Sequence, residues 1–157
     1  MVVAVVDDHR LISLLAAGQP PPGRYATTCS WWWRLTSAFA GHRSGALTRR
    51  LETLDHGIAS AIRQTLRTLP AHFEIVDLRL LIPAMGVLAQ HHAVNQLAAE
   101  AVAAAAYLET SIEVGIDTPQ LRNAAGAEHV GYHVDMSYRF GVEQGDLCDG
   151  QATFSVG

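Results

Sequence analysis

The chain has 157 residues, 49% hydrophobic and 17% charged. That balance suits one compact domain and excludes a disordered or collagen-like chain. The net charge is −4, spread unevenly: residues 1–69 hold eight Arg and four acids, whereas residues 70–157 hold three Arg and eleven acids. No uncharged apolar stretch approaches the roughly 20 residues needed to span a bilayer, and the start lacks signal-peptide features, so a cytoplasmic location without a membrane partner is expected. Cys29 and Cys148 show no Cys-x-x-Cys spacing, which points to reduced thiols rather than a disulfide framework or a zinc site.

Val2-Val3-Ala4-Val5-Val6 is an unbroken β-branched run without alternation, the mark of a strand buried on both faces of a parallel sheet. Asp7-Asp8 follow at once. Leu11, Ile12, Leu14 and Leu15 then recur at helical spacing up to Gly18, a helix terminus. After the proline-rich link 19–23, Tyr25 to Cys29 reads as a second strand and Ser30 as the N-cap of a helix from Trp31 to Ala40. Successive helical residues point about 100° apart, so Trp31, Trp32 and Trp33 cannot share one core. Padding of a small core and a base-stacking platform are both open for these rings.

Apolar residues at 47, 51, 54, 58, 62, 66 and 69 predict one long amphipathic helix over Ala46 to Leu69, bent near Gly57, with Arg49, Arg50, Arg63 and Arg67 on its polar side. Pro70 ends it. Residues 74–78 are a weak strand before a helix from Arg79 to His92, with Pro83 in its first turn. Asn95 opens an alanine-rich helix through Leu108 that should be buried on most sides, with Glu100 in its middle. Ser111 to Ile116 is a strand ending in Asp117. Thr118-Pro119 starts a helix through Glu128, and Tyr132 to Met136 is a last strand. The domain is expected over 1–136, with 137–157 as a C-terminal tail. His91 and His92 read as surface residues.

Strands alternating with helices predict an α/β three-layer sandwich: a central, mostly parallel sheet with helices on both faces. Ligands of such sheets bind beyond the carboxyl ends of the strands, at the topological switch point. That rule puts Asp7, Asp8 and Asp117 on the functional edge. An unpaired carboxylate is costly to bury, so Glu100 must be exposed or face compensating charge; alone, it reads as exposed. Beside Asp7 and Asp117 it would repel them, and a hard divalent cation would relieve the repulsion, making Asp7, Asp8, Glu100 and Asp117 candidate ligands of Mg²⁺ or Mn²⁺. Such an ion can activate water for in-line attack on a phosphodiester. For Asp8 a helix cap, and for Asp117 a turn, are the plain alternatives. Phosphate loops, dinucleotide fingerprints and nucleophile elbows are absent from the sequence, which excludes nucleotide-cofactor enzymes and serine hydrolases as expectations.

Residues 3–16, with the strand Val3-Ala4-Val5-Val6 ending in Asp7-Asp8, resemble the opening of PIN domains. Asn95 to Ala105 resembles their later helix, in which an acid precedes an alanine-rich stretch. Ser111 to Asp117 followed by Leu121-Arg122-Asn123-Ala124-Ala125 resembles their strand, acid and closing helix. The likeness spans about residues 2–135. It implies a Mg²⁺- or Mn²⁺-dependent ribonuclease fold, best known from toxins of bacterial toxin–antitoxin pairs, with Asp7, Glu100 and Asp117 as metal ligands and catalytic residues. Two positions depart from the pattern: Trp31-Trp32-Trp33-Arg34-Leu35 stands where the family carries a Glu, and Glu100 where it usually has Asp. Arg34 would bring positive charge to a ligand position, and a salt bridge from it to one of the acids could hold the site together instead. Two functions are therefore expected. One is an endoribonuclease cutting single-stranded RNA, with Arg49, Arg50, Arg63 or Arg67 holding phosphates. The other is a degenerate PIN-like module that binds RNA or a protein partner without cutting. A protein inhibitor or a homodimer through the Trp-rich helix is also open.

Overall fold

The computed structural model describes residues 1–43 and 45–135. Five strands, β1 (Val2–Val6), β2 (Arg24–Thr27), β3 (Phe73–Ile75), β4 (Ser111–Val114) and β5 (Tyr132–Val134), form one sheet in the order β3-β2-β1-β4-β5, every neighbouring pair parallel. Among the described residues, seven helices cover it: α1 (Asp8–Ala16), α2 (Cys29–Phe39), α3 (Ala46–Glu52), α4 (His56–Thr65), α5 (Leu78–His91), α6 (Gln96–Tyr107) and α7 (Pro119–Ala127). The protein is thus the expected α/β three-layer sandwich. The expected tail 137–157, Cys148 and the last residue of the predicted final strand, Met136, lie outside the described residues. Among the described residues, no helix is long and apolar enough to cross a membrane.

The valine run of β1 explains the layering. Val5 packs in a core shared with α5, α6, α7, Ile112 and Val114, while Ala4 and Val6 pack in a second core with Leu11, Ile12, Leu35, Leu47 and Ile62 from α1–α4. Successive side chains of a strand point to opposite faces, so a central strand needs apolar residues at consecutive positions. Alanine lets α6 lie close: Ala98 through Ala105 are all buried.

Local capping moves several boundaries. Thr28, not Ser30, caps α2, its side chain accepting from the Trp31 N–H at 3.2 Å. Asp7, not Asp8, caps α1. The single helix expected over 46–69 is two, because the Asp55 carboxylate accepts from the N–H groups of Gly57 and Ile58, at 2.8 and 3.3 Å, and starts α4 afresh. Pro83 lies in the second turn of α5 rather than the first. Thr118 precedes α7 as expected, yet makes no side-chain cap bond. The three tryptophans divide: Trp31 is buried in one core, Trp32 packs against the other, and Trp33 is exposed beside His42. The α2 helix therefore bridges both layers at the strand ends.

Candidate functional site

The chain leaves β1 for β2 and β3 on one side, and later places β4 and β5 on the other. The β1–β4 junction is the switch point, where two outgoing connections diverge and leave a cleft. A cleft of about 240 Å³ lies there, lined by Asp7, Asp8 and His9 after β1, by Trp31 and Arg34 of α2, and by Asn95, Thr118 and apolar residues of the surrounding elements.

Asp7 is held by backbone. Its Oδ1 accepts from Arg10 N at 2.7 Å and from Gly115 N at 2.9 Å, tying the start of α1 to the end of β4. Gly115 is needed for this approach: a Cβ there would lie 2.6 Å from His9 Cβ and 2.9 Å from the His9 carbonyl carbon. Desolvation, and then the adjacent Asp8, push the Asp7 carboxyl up from its ordinary 3.8 to about 7, against those two backbone donors and Arg50.

Asp8 is almost completely buried, and burial likewise raises its pKa, opposed chiefly by Arg34. The Arg34 Nη1 lies 3.3 Å from Asp8 Oδ2, yet that oxygen makes no hydrogen bond. His9 is also buried. Desolvation and the charges of Arg50 and Arg34 pull its pKa down to about 4, so its ring is neutral near pH 7, and its Nδ1 has no hydrogen-bond partner.

The other predicted carboxylates have separate engagements. Glu100 is fully buried, not exposed, because α6 is enclosed along its length; Oε1 accepts from Ser30 N, in the first turn of α2, at 3.3 Å, while Oε2 has no hydrogen-bond partner. The positive end of the α2 macrodipole supplies compensation that the sequence around Glu100 lacks. Asp117 accepts from Arg122 Nη1 at 2.5 Å and from the Tyr132 hydroxyl at 3.1 Å, and that hydroxyl in turn accepts from Thr118 N. Partial burial, with the acidic neighbours Asp117 and Asp7, raises the Tyr132 phenol to about 12.

The arginines separate as well. Arg49, Arg63 and Arg67 are exposed, and Arg63 lies over the Phe39 ring at 5.8 Å. Arg50 is buried and donates to the His9 carbonyl oxygen and, at 2.6 Å, to Ser13 Oγ, pinning α3 to α1. It thus serves the floor of the site, away from solvent phosphate. Sequence patterns did not single out His9, Gly115 or Tyr132 as site residues, and offered Asn95 only as the start of a helix. A glycine at the end of the strand, inside Val114-Gly115-Ile116, was the one readable sign of a close backbone approach.

The structure therefore brings Asp7, Asp8 and Arg34 to one cleft. It does not assemble Asp7, Glu100 and Asp117: among the described residues, no three His, Cys, Asp or Glu side chains are grouped to hold a metal ion. A guanidinium sits at Asp8, a backbone N–H holds Glu100, and Arg122 with Tyr132 holds Asp117. Asp8 Oδ2 and Glu100 Oε2 keep no hydrogen-bond partner, and both are oxygen donors of the kind that Mg²⁺ or Mn²⁺ takes. Neither the protein-family models nor the curated proteins contain a match to this chain.

Stability should respond to pH with two opposed slopes. Asp7 binds its proton more tightly folded than unfolded, so its contribution is complete below about 3.8 and is lost as pH rises through about 7. His9 binds its proton less tightly when folded, so its contribution is present above 6.5 and is lost as pH falls through about 4. Asp7→Asn removes the first slope. Relative to the wild type it should gain about 1–3 kcal/mol in urea unfolding between pH 4 and pH 8, on the scale of 1.4 kcal/mol per pKa unit. A difference between the two proteins that does not change with pH would contradict the assignment.

Proposed function

We propose that this chain is a PIN-like module that binds single-stranded RNA at its β1–β4 edge without cutting it. The observation that carries this reading is the Arg34–Asp8 ion pair. It sets a cation where the PIN resemblance implies a metal-binding acid, and it offsets one of the two adjacent negative charges. With the Asp7 carboxyl raised to about 7, the edge carries less negative charge than two free carboxylates and repels a polyanion less. Exposed Arg49, Arg63 and Arg67 supply the sequence-independent attraction for phosphates.

One feature favours a cutting enzyme as the second reading: Asp7 and Asp8 are adjacent carboxylates, and Asp8 Oδ2 has no hydrogen-bond donor. Arg34→Glu separates the two readings, because it replaces the cation with the acid that the resemblance expects. The wild type should bind a labelled single-stranded RNA, with affinity falling as salt rises, and leave it intact in Mn²⁺ or Mg²⁺. Arg34→Glu should be equally inert. Cleavage by the wild type that stops with a chelator, or metal-dependent cleavage gained by Arg34→Glu, would establish the nuclease instead.

A further inference from the structure

The cleft combines three properties that restrict its occupant. At about 30 Å³ per water, its 240 Å³ is roughly eight waters, the scale of a single heterocyclic base. Its walls are mostly apolar, with Trp31, Leu97, Val114, Ile116 and Leu121 among them. Its polar groups include two side chains more than nine-tenths buried: Asp8, whose Oδ2 makes no hydrogen bond and meets only Arg34 across the 3.3 Å ion pair, and His9, whose Nδ1 has no hydrogen-bond partner. Buried polar atoms are hydrogen-bonded in the great majority of cases, so two such atoms without a hydrogen bond, on residues lining one cleft, mark a place where a ligand completes the bonding. With Asp8 paired to Arg34, an uncharged ring with donors and acceptors on its edge suits the cleft.

We propose that this cleft admits one unstacked base of single-stranded RNA, guanine in preference, with Asp8 accepting from the base and Arg34 donating to it. The proposal rests on the RNA-binding reading above and names its specificity. Guanine alone offers a carboxylate two neighbouring donors, N1–H and the N2 amine, next to the O6 acceptor that suits a guanidinium. Adenine, cytosine and uracil each present one donor group on that edge. Arg34 is half-buried at the cleft rim, so its guanidinium can shift from Asp8 toward O6 as the base enters. Ala46 lines the same cleft, and exposed Arg49 follows it by three residues on α3, the spacing that places two side chains on one helix face. A phosphate flanking the inserted base would meet that cation.

The test uses the full chain and ten-nucleotide oligouridines carrying one central guanine, inosine, adenine or cytosine, with binding read by fluorescence anisotropy at fixed salt. The guanine oligomer should bind about tenfold tighter than oligouridine, and inosine, which lacks the N2 amine, should fall between them. Asp8→Asn, whose folding is checked by its thermal melt, should bring the guanine-to-uridine ratio close to one. A second measurement, independent of the oligomers and of any variant, is the shift of the Trp31 indole resonance on titrating guanosine monophosphate, expected to exceed that with uridine monophosphate. Equal affinity for all oligomers, with no guanosine-selective shift, would overturn the base pocket and leave RNA binding standing. If no oligomer binds and guanosine monophosphate shifts nothing, both readings fall and a protein partner takes their place.

Discussion

Replacing Arg34 with Met should destabilise the protein by about 1–3 kcal/mol at pH 8, and by less at pH 5. Removing one partner of a buried ion pair leaves the other charge uncompensated, which costs about 3–5 kcal/mol when both are buried. Arg34 keeps 28% of its side-chain surface while Asp8 keeps 1%, so water already screens the pair and the lower range applies. The pH dependence follows from Asp8. Burial has already raised its pKa above the ordinary 3.8, and Arg34 is the largest influence holding it down. Without the guanidinium, the carboxyl keeps its proton to a higher pH, so the loss shrinks as pH falls. Urea unfolding of both proteins at the two pH values checks this. An equal loss at pH 5 and pH 8 would mean that Arg34 contributes by packing its stem and not by its charge.

Gly115→Ala should cost about 2–3 kcal/mol, the usual range for forcing volume into a closed site. The methyl would meet His9 Cβ and the His9 backbone, with Arg10 N at 3.0 Å. These atoms form the first turn of α1, which cannot yield without moving the Asp7 cap. The same shift would lengthen the Gly115 N–H bond to Asp7. Gly126→Ala in α7 is the matched control: nothing lies within 4 Å of its added Cβ, and alanine is favoured over glycine in a helix by about 0.5–1 kcal/mol. Thermal unfolding should therefore move in opposite directions for the two substitutions. A neutral Gly115→Ala would show that β4 and α1 are not locked together at the cleft.

The Arg34–Asp8 contact shows how far sequence reasoning reached and where it stopped. The register of the resemblance put a cation at position 34 among acids, enough to expect an ion pair with one of them. Which acid accepts it depends on the angle at which α2 leaves β2, and the structure gives Asp8, the residue that a local reading regarded as a helix cap. Glu100 marks the opposite case. Its helix was legible from Asn95 and the alanine run, but no neighbour in sequence hinted that the first turn of α2, 70 residues away, would cover it. The break at Asp55 between α3 and α4 carried a local signal, an Asp two residues before a glycine, that the apolar periodicity outweighed.

By itself the sequence determined the alternation of strands and helices, the burial of β1 on both faces, the tight packing of α6 and the placing of Asp7 at the end of β1. All of these follow from periodicity, side-chain size and turn chemistry within a few residues. The strand β4, by contrast, stops at Val114, short of the expected Ile116 and three residues before Asp117. Only the tertiary structure decided which charges meet. Packing α2 across the strand ends gave Asp8 to Arg34 and Glu100 to Ser30, while β5 brought Tyr132 to Asp117. Such contacts join residues distant along the chain, and their energies depend on burial and distance, neither of which a linear pattern contains.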